Sequence, residues 1–384
     1  GFDLEPTPYL FIAEAAKKSG AKVAVVAIGG FTHPDLGEEA IASGKADLIA
    51  MARAWIADPD FGLKVYEGRG DEIVPCIRCN RCHRSSYSDP WISVCSVNPI
   101  WGMEHLIDKL VKPPTAKRKV AVIGGGPAGM KAAIIAAERG HEVTLFEKSD
   151  SLGGLLRIAD YVSFKWPLRD FKNYLIQQVE KSNVEVHLNT EVTPKMLIDS
   201  DYDVLIIAIG SEPVIPPIPG INRKNVMHAI DVYGNEDHLG EEVIVVGGGE
   251  TGVETGMHLA EKGHKVTIVE MLDKLAPESV PIHYRRLLLM AFEKMCQRTS
   301  LSYILNARCT RVSNDGITYV GKDGKEHELK ADNIVISVGM KPKIDEALEF
   351  AQLGIRFYMV GDCSYKAGNV QKAIRSAFAA ASTI

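Results

Sequence analysis

The sequence has no long apolar run and no strongly basic segment. No stretch reaches the roughly 18 consecutive apolar residues that a membrane-spanning helix needs, and no signal peptide opens the chain. The net charge is −5, and no cluster of lysines and arginines stands out, which argues against nucleic acid or an anionic membrane as a partner. We therefore expect a globular, cytoplasmic protein that acts on small molecules.

The sequence also lacks an initiator methionine, since it begins with Gly1. Its 384 residues suggest two or three domains. Residues 1–64 alternate helix-like stretches with two short apolar segments, 23–28 and 47–51, which is typical of parallel strands covered on both faces. Two such units cannot close a sheet alone. We therefore expect an upstream part of the protein to be missing from this chain.

Cysteine is scarce outside one cluster. Four of the seven cysteines, Cys76, Cys79, Cys82 and Cys95, follow the spacing Cys-x2-Cys-x2-Cys-x12-Cys. Clustered cysteines in a reducing compartment indicate metal or redox chemistry, and four thiolates suit a zinc site or a [4Fe–4S] cluster. Three close cysteines and one distant cysteine favour the iron–sulfur cluster, with zinc as the alternative. His83, beside Cys82, is a weaker candidate ligand.

The rest of the chain contains an internal repeat of strand, G-x-G-x-x-G turn, helix, strand and acidic residue. The repeated positions are Gly124, Gly126, Gly129 and Glu147 in the first copy, and Gly247, Gly249, Gly252 and Glu270 in the second. Both the first glycines and the glutamates of the two copies are 123 positions apart. Such glycines allow a tight turn and the close approach of a pyrophosphate, and the carboxylate accepts hydrogen bonds from a ribose. The repeat predicts two nucleotide-binding domains of common ancestry.

Glu270 also bears on which nicotinamide cofactor is bound. A carboxylate at this position repels a 2′-phosphate, and no arginine occurs in 271–274 to bind one. NADH is therefore favoured over NADPH. Lys265 and Lys274 leave NADPH open as the alternative.

The order of these motifs resembles the C-terminal three-fifths of the multi-cofactor flavoenzymes in the old yellow enzyme group. That group includes 2,4-dienoyl-CoA reductases, 2-enoate reductases, bile-acid and isoflavone enone reductases, and trimethylamine dehydrogenase. The most specific parts of the resemblance are the cysteine cluster leading directly into the first repeat and a strand ending in Gly361-Asp362. In these enzymes a TIM barrel binds FMN, a [4Fe–4S] cluster lies at its edge, and two glutathione-reductase-like domains bind FAD and NAD(P)H.

The resemblance implies an α/β chain with the last units of a TIM barrel followed by two Rossmann-like domains. The implied domains are 1–64 for the barrel remnant, 65–116 for the iron–sulfur segment and linker, 117–239 with 346–384 for FAD, and 240–345 for NAD(H). The implied cofactor residues are Gly29, Gly30, Ala52 and Arg53 at the FMN phosphate; Gly126, Pro127, Ala128 and Glu147 at the FAD pyrophosphate and ribose; Gly154 and Leu155 in a loop against FAD; Val192 near the adenine; and Asp362 at the ribitol side.

The cysteine spacing is similar to the trimethylamine dehydrogenase and enoate reductase branches, because the dienoyl-CoA reductases have one more residue between the second and third cysteines. The family's catalytic tyrosine and histidine lie on barrel strands that this chain lacks, so no proton donor is identified.

The function implied by the resemblance is NADH-dependent reduction of an activated C=C bond in an unsaturated acid, thioester or enone. Electrons would pass from NADH through FAD and the cluster to FMN. One alternative is an amine dehydrogenase, and another is an electron-transfer (diaphorase) fragment without a complete FMN barrel. The intact second glycine motif favours the reductase, and family analogy suggests a homo-oligomer.

Overall fold

The structure is a computed structural model that describes residues 6–82, 94–277 and 282–384. His83 lies outside these ranges. The helices are α1 (Leu10–Lys18), α2 (Pro34–Ala42), α3 (Arg53–Ala57), α4 (Phe61–Tyr66), α5 (Ile107–Leu110), α6 (Pro127–Glu138), α7 (Trp166–Lys181), α8 (Ala229–Val232), α9 (Glu250–Glu261), α10 (Ile282–Cys296), α11 (Ile344–Leu348) and α12 (Val370–Ala381). Among the described residues, no helix combines the length and the apolar character that crossing a membrane requires.

The strands of the same ranges are mostly short. They are β1 (Val26–Ile28), β2 (Leu48–Ala50), β3 (Lys119–Ile123), β4 (Glu142–Phe146), β5 (Val184–His187), β6 (Val204–Ile207), β7 (Ser211–Pro213), β8 (Val226–His228), β9 (Glu242–Val246), β10 (Lys265–Val269), β11 (Leu301–Ile304), β12 (Arg308–Val312), β13 (Gly316–Val320), β14 (Glu326–Lys330), β15 (Asn333–Ile336), β16 (Met340–Pro342) and β17 (Arg356–Met359).

The chain divides into two compact units. Of the described residues, the first unit contains 6–160, Phe164–Gly210 and Pro342–Ile384. The second contains Tyr161–Ser163 and Ser211–Lys341. The chain therefore leaves the first unit, passes through the second and returns to the first at its C-terminal end.

The first unit is built on a parallel sheet in the order β17-β6-β3-β4-β5. Its central strand is buried from Val120 to Ile123, because α6 and other elements cover the sheet. Helices α6 and α12 pack together, and their buried faces consist largely of alanine, which allows a close approach. Cys95 and Val97 pack against the same core, so the cysteine segment is part of this unit.

The second unit has a parallel sheet in the corresponding order, β8-β15-β9-β10-β11. Strand β9 occupies the central place that β3 has in the first unit, and α9 follows it as α6 follows β3. An antiparallel sheet, β12-β13-β14, completes the unit. The prediction of two related Rossmann-like units is confirmed.

The N-terminal segment forms a small part of a barrel. Strands β1 and β2 are parallel, with Val26 opposite Leu48, and α1 and α2 precede them along the chain. Val26, Ile28 and Leu48 are at least half exposed. The segment confirms the predicted alternation of helices and parallel strands. Strand β1 leads directly into Gly29 and Gly30, and only Met51 separates β2 from Ala52 and Arg53.

Candidate cofactor-binding sites

The first glycine turn is shaped by two close backbone approaches. Gly124 has a φ of +109°, and a Cβ there would lie 2.5 Å from the carbonyl oxygen of Ala208. A Cβ on Gly129 would lie 1.8 Å from the carbonyl oxygen of Gly124. Side chains at these two positions would therefore force β3, β6 and α6 apart.

The predicted ribose ligand lies beside this turn. Glu147 follows β4 and is 7% exposed. Its Oε2 accepts a hydrogen bond from the Gly125 N–H at 2.6 Å, and its Oε1 accepts from the backbone N–H and the hydroxyl of Ser149 at 2.8 and 2.7 Å. These bonds fix the carboxylate at the turn, and its remaining lone pairs can accept from a ligand hydroxyl.

Two further segments, which contain Gly154 and Gly361, lie against the first turn. Gly126 caps α6, Pro127 begins it, and a Cβ on Gly154 would lie 2.9 Å from the Gly126 Cα. A Cβ on Gly361 would lie 2.9 Å from the Cβ of Ala128. The structure thus brings Gly154 and the Gly361-Asp362 strand end to the start of α6, as the predicted FAD residues require.

The remaining predicted FAD residues have different surroundings. The side chain of Leu155 is 44% exposed, whereas Val192 is buried in an apolar cluster that includes Ile123. The Oδ1 of Asp362 accepts a hydrogen bond from the Gly368 N–H at 2.8 Å, which orients the carboxylate within its own loop. Leu155 and Asp362 can therefore contact a ligand without a change in the core, whereas Val192 also contributes to packing.

The second glycine turn repeats the first in detail. Gly247 has a φ of +107°, and its Cβ would lie 2.2 Å from the carbonyl oxygen of Ser337. A Cβ on Gly252 would lie 1.9 Å from the carbonyl oxygen of Gly247. Gly249 caps α9, and a Cβ there would have no atom within 4 Å. The second turn therefore leaves open space at the position where a pyrophosphate is expected.

Glu270 corresponds to Glu147. It is 6% exposed, and it accepts hydrogen bonds from the N–H groups of Gly248 at 2.5 Å and Leu272 at 2.7 Å. Lys265, one of two lysines considered for a 2′-phosphate, lies at the other end of β10, roughly 16 Å away at the usual rise per strand residue, and pairs with Glu242. This position removes Lys265 as a phosphate ligand and strengthens the preference for NADH.

The four clustered cysteines line one small cavity. Arg53, Asn80 and Ser96 contribute to its wall, and the sulfur of Cys79 lies 3.1 Å from the Ser96 hydroxyl oxygen. Within 6–82, 94–277 and 282–384, no group of three or more His, Cys, Asp or Glu has the geometry to hold a metal ion. The four cysteines thus share one cavity.

Burial disfavours the thiolate form of three of these cysteines. It raises the pKa of Cys76, raises that of Cys82 to about 11, and raises that of Cys95 to about 12. The neighbouring Cys76 and Cys79 add to the rise at Cys82, because one thiolate disfavours another nearby. Metal binding requires thiolates, so it would release protons from this site. An all-cysteine donor set around one cavity fits an iron–sulfur cluster.

The predicted FMN-phosphate residues lie at the ends of the two barrel strands. Gly29 and Gly30 follow β1 with φ values of +110° and +81°. Ala52 follows β2 as the cap of α3, and Arg53 begins that helix. Because carboxyl ends of adjacent parallel strands meet at one edge, the four residues lie on the same side of the pair.

Arg78 and Asn80, on either side of Cys79, were not predicted as functional residues. Both have positive φ values, +52° and +56°, which are uncommon without glycine. The side chain of Arg78 is 1% exposed, and that of Asn80 accepts a hydrogen bond from Arg53 at 2.7 Å. The only sign of a role in the sequence is the position of Arg78 inside the cysteine motif. The sequence does not reveal its partners, because they are distant along the chain.

Two known protein families match different parts of the chain. The model of the pyridine nucleotide-disulphide oxidoreductases matches residues 118–377, which contain both glycine turns. The model of the NADH:flavin oxidoreductase / NADH oxidase family matches residues 10–72. The chain belongs to the multi-cofactor NADH:flavin oxidoreductases. The cysteine segment lies between the two matched regions.

Relatives match almost the whole chain. An NADH oxidase of Thermoanaerobacter brockii is 37% identical over 98% of this chain and 58% of its own length. A cinnamate reductase of Clostridium sporogenes is 32% identical, covering 98% and 55%. The solved structure of a 2-naphthoyl-CoA reductase complex superposes with a TM-score of 0.92 at 31% identity, covering 99% and 57%. The chain therefore spans a little over half the length of these relatives.

Proposed function

We propose that the protein containing this chain uses NADH to reduce an activated C=C bond in a small unsaturated acid, thioester or enone. The observation that carries the proposal is the second glycine turn with Glu270, present in the same chain as a four-cysteine cavity and an FMN-oxidoreductase segment. An enzyme that needed only to pass electrons outward would not require this complete nicotinamide site.

The second unit would bind NADH. The first N–H groups of a helix have no partner within the helix, and those of α9 follow directly on the open space at Gly249, where the positive end of the helix favours a pyrophosphate. Glu270, already fixed by Gly248 and Leu272, would accept from the ribose hydroxyls. The first unit would bind FAD in the same way, through Gly126, Glu147 and the two segments that close on the turn.

The four cysteines would hold a [4Fe–4S] cluster. Three close cysteines and one distant cysteine around one cavity favour the cluster over zinc. Gly29, Gly30, Ala52 and Arg53 would hold the FMN phosphate. When bound, these groups supply hydride acceptance from NADH, single-electron transfer between two flavins, and hydride delivery to the double bond.

The substrate class is supported by two relatives. A cinnamate reductase and a 2-naphthoyl-CoA reductase are named for an unsaturated acid and an aromatic thioester. In both, a carbonyl group activates the unsaturated carbons by withdrawing electrons. We extend that class, without choosing a member of it, to the protein that contains this chain. Substrate binding would fall to parts of the barrel beyond the two strands described above.

The first experiment is an anaerobic absorbance spectrum with acid extraction of flavins and an iron count. FAD, FMN and about four irons per chain, bleached by NADH, are expected for a complete ene-reductase with one such cluster. FAD and iron without FMN would instead identify an electron-transfer fragment. A chromophore that NADH does not bleach would favour an amine dehydrogenase, and zinc in place of iron would contradict the proposal.

A matched pair of variants separates the two nucleotide sites. Glu270→Gln replaces one acceptor oxygen with an NH2 group that faces a backbone N–H, so we expect the Kd for NADH to rise about ten-fold, equal to about 1.4 kcal/mol, with FAD content unchanged. Glu147→Gln should lower FAD content instead. Equal effects of both substitutions on FAD content and on NADH affinity would contradict the assignment of the two sites.

A further inference from the structure

Arg78 is among the largest of the almost completely buried side chains in the described residues, and its contacts include two carbonyl groups and an aromatic ring. Its Nη2 donates hydrogen bonds to the carbonyl oxygens of Gly30 and Pro6. Its guanidinium lies 4.7 Å from the centre of the Trp166 ring. Burying a guanidinium is costly unless its N–H groups are satisfied, so this set of contacts indicates a specific role for the charge.

The bond to Gly30 orients a peptide group of the predicted FMN-phosphate turn. In a planar trans peptide the C=O and the N–H point in opposite directions, so Arg78 fixes the Phe31 N–H away from itself. No described residue accepts a hydrogen bond from the Phe31 N–H, although Phe31 is 3% exposed. The hydroxyl of the next residue, Thr32, is also buried with no partner among the described residues. Two donors at this turn are thus available to an anion.

The other side of Cys79 holds the second predicted phosphate element. Asn80 accepts a hydrogen bond from Nη1 of Arg53 at 2.7 Å, which sets the position of that guanidinium at the end of β2. Arg78 and Asn80 are both held in the left-handed region, a conformation that persists only where the surroundings enforce it. Of the two neighbours of Cys79, Arg78 therefore bonds to Gly30 and Asn80 bonds to Arg53.

From this arrangement we propose that Arg78 and Asn80 are positioning residues for FMN. They tie the cysteine loop to both phosphate-binding elements, so the loop that holds the cluster also shapes the FMN-phosphate site. Trp166, at the start of α7, supports Arg78 from the first Rossmann-like unit. The inference rests on the proposed function, because it assumes that FMN and the cluster bind where described above.

The test is FMN retention in the full-length holoprotein, measured as the Kd from ultrafiltration and as the FMN-to-FAD ratio after acid extraction. Arg78→Lys keeps the charge but loses the planar fork and its stacking, and Asn80→Gly removes the side chain while tolerating the positive φ. We expect each to raise the FMN Kd about ten-fold or more, with FAD and iron content unchanged. Arg81→Ala is the control, because Arg81 lies in the same loop but its Nη1 donates to Gln371.

The outcomes separate the inference from the proposed function. A wild-type protein that binds no FMN would contradict the proposed function and this inference with it. A wild type that holds FMN, with both variants equal to it in FMN Kd, would overturn the inference alone. Loss of iron together with FMN, or an equal effect of Arg81→Ala, would also overturn it, because Arg78 and Asn80 would then act only by keeping the loop folded.

Discussion

Gly249→Ala should separate cofactor binding from stability at the second glycine turn. Gly249 has φ −64° and ψ 180°, which alanine adopts without strain, and a Cβ there would have no atom within 4 Å. The variant should therefore fold without strain, because the smaller unfolded-state entropy of alanine, about 0.4–1 kcal/mol, offsets much of the loss from a poorer N-cap. The added methyl group would nevertheless occupy the space that a pyrophosphate needs.

The expected loss is in NADH affinity alone. A pyrophosphate pushed back by one methyl group loses contact with the N–H groups of α9, and we expect the Kd for NADH to rise at least ten-fold, or about 1.4 kcal/mol. The measurements are calorimetric NADH titration and thermal unfolding of the same preparations.

Gly252→Ala is the comparison variant. Its Cβ would lie 1.9 Å from the Gly247 carbonyl oxygen, so it should lower the free energy of unfolding by about 1–3 kcal/mol as well as NADH affinity. Unchanged NADH binding by a folded Gly249→Ala protein would refute the placement of the pyrophosphate.

Two further predictions concern the cysteines and a buried hydrogen bond between a carboxyl group and a histidine. Cys76→Ser should lower iron content and visible absorbance, whereas Cys296→Ser, at the end of α10, should leave both unchanged; equal iron loss in the two would contradict the cluster assignment. Burial raises the pKa of Glu236, but hydrogen bonds, chiefly with His258 at 2.6 Å, outweigh it and lower the pKa overall. This stabilisation is therefore present above the ordinary pKa of 4.5 and is lost as the pH falls through the lower pKa of the folded state. In urea unfolding at pH 7, the Glu236→Gln variant should have a lower free energy of unfolding than the wild type. This difference in free energy should narrow below pH 4.5. A difference in the free energy of unfolding that stays constant with pH would contradict the lowered pKa of Glu236.

Local backbone sterics made the two glycine turns predictable from sequence. The need for glycine at Gly124 and Gly129 arises from contacts within one strand–turn–helix unit, and the spacing to Glu147 is set by one helix and one strand. The start of the C-terminal helix α12 is also fixed locally, because the Asn369 side chain accepts a hydrogen bond from the Lys372 N–H.

The parts that sequence could not supply depend on distant residues. The strand predicted at 23–28 begins only at Val26, because the Val25 N–H donates to the side chain of Asp47 at 2.8 Å instead of pairing with a neighbouring strand. Arg78 reaches Gly30 and Trp166, which are 48 and 88 positions away, and no spacing rule links them. Such contacts become visible only when the fold brings the segments together.

The difference between the two glycine turns supports their assignment to different kinds of ligand. At the first turn, Gly154 approaches Gly126, and Gly361 approaches Ala128, so two further loops border a ligand there. At the second turn, a Cβ on Gly249 would have no atom within 4 Å, and a Cβ on the corresponding Gly126 would have only the Gly154 Cα, at 3.9 Å, so the two turns differ in their bordering loops and hardly in the turn itself. Enclosure slows dissociation and suits a flavin that stays bound through many cycles, whereas an open turn suits a nicotinamide cofactor that must leave after each hydride transfer. The same backbone motif can therefore serve both roles, because the loops added around it determine how long a ligand stays.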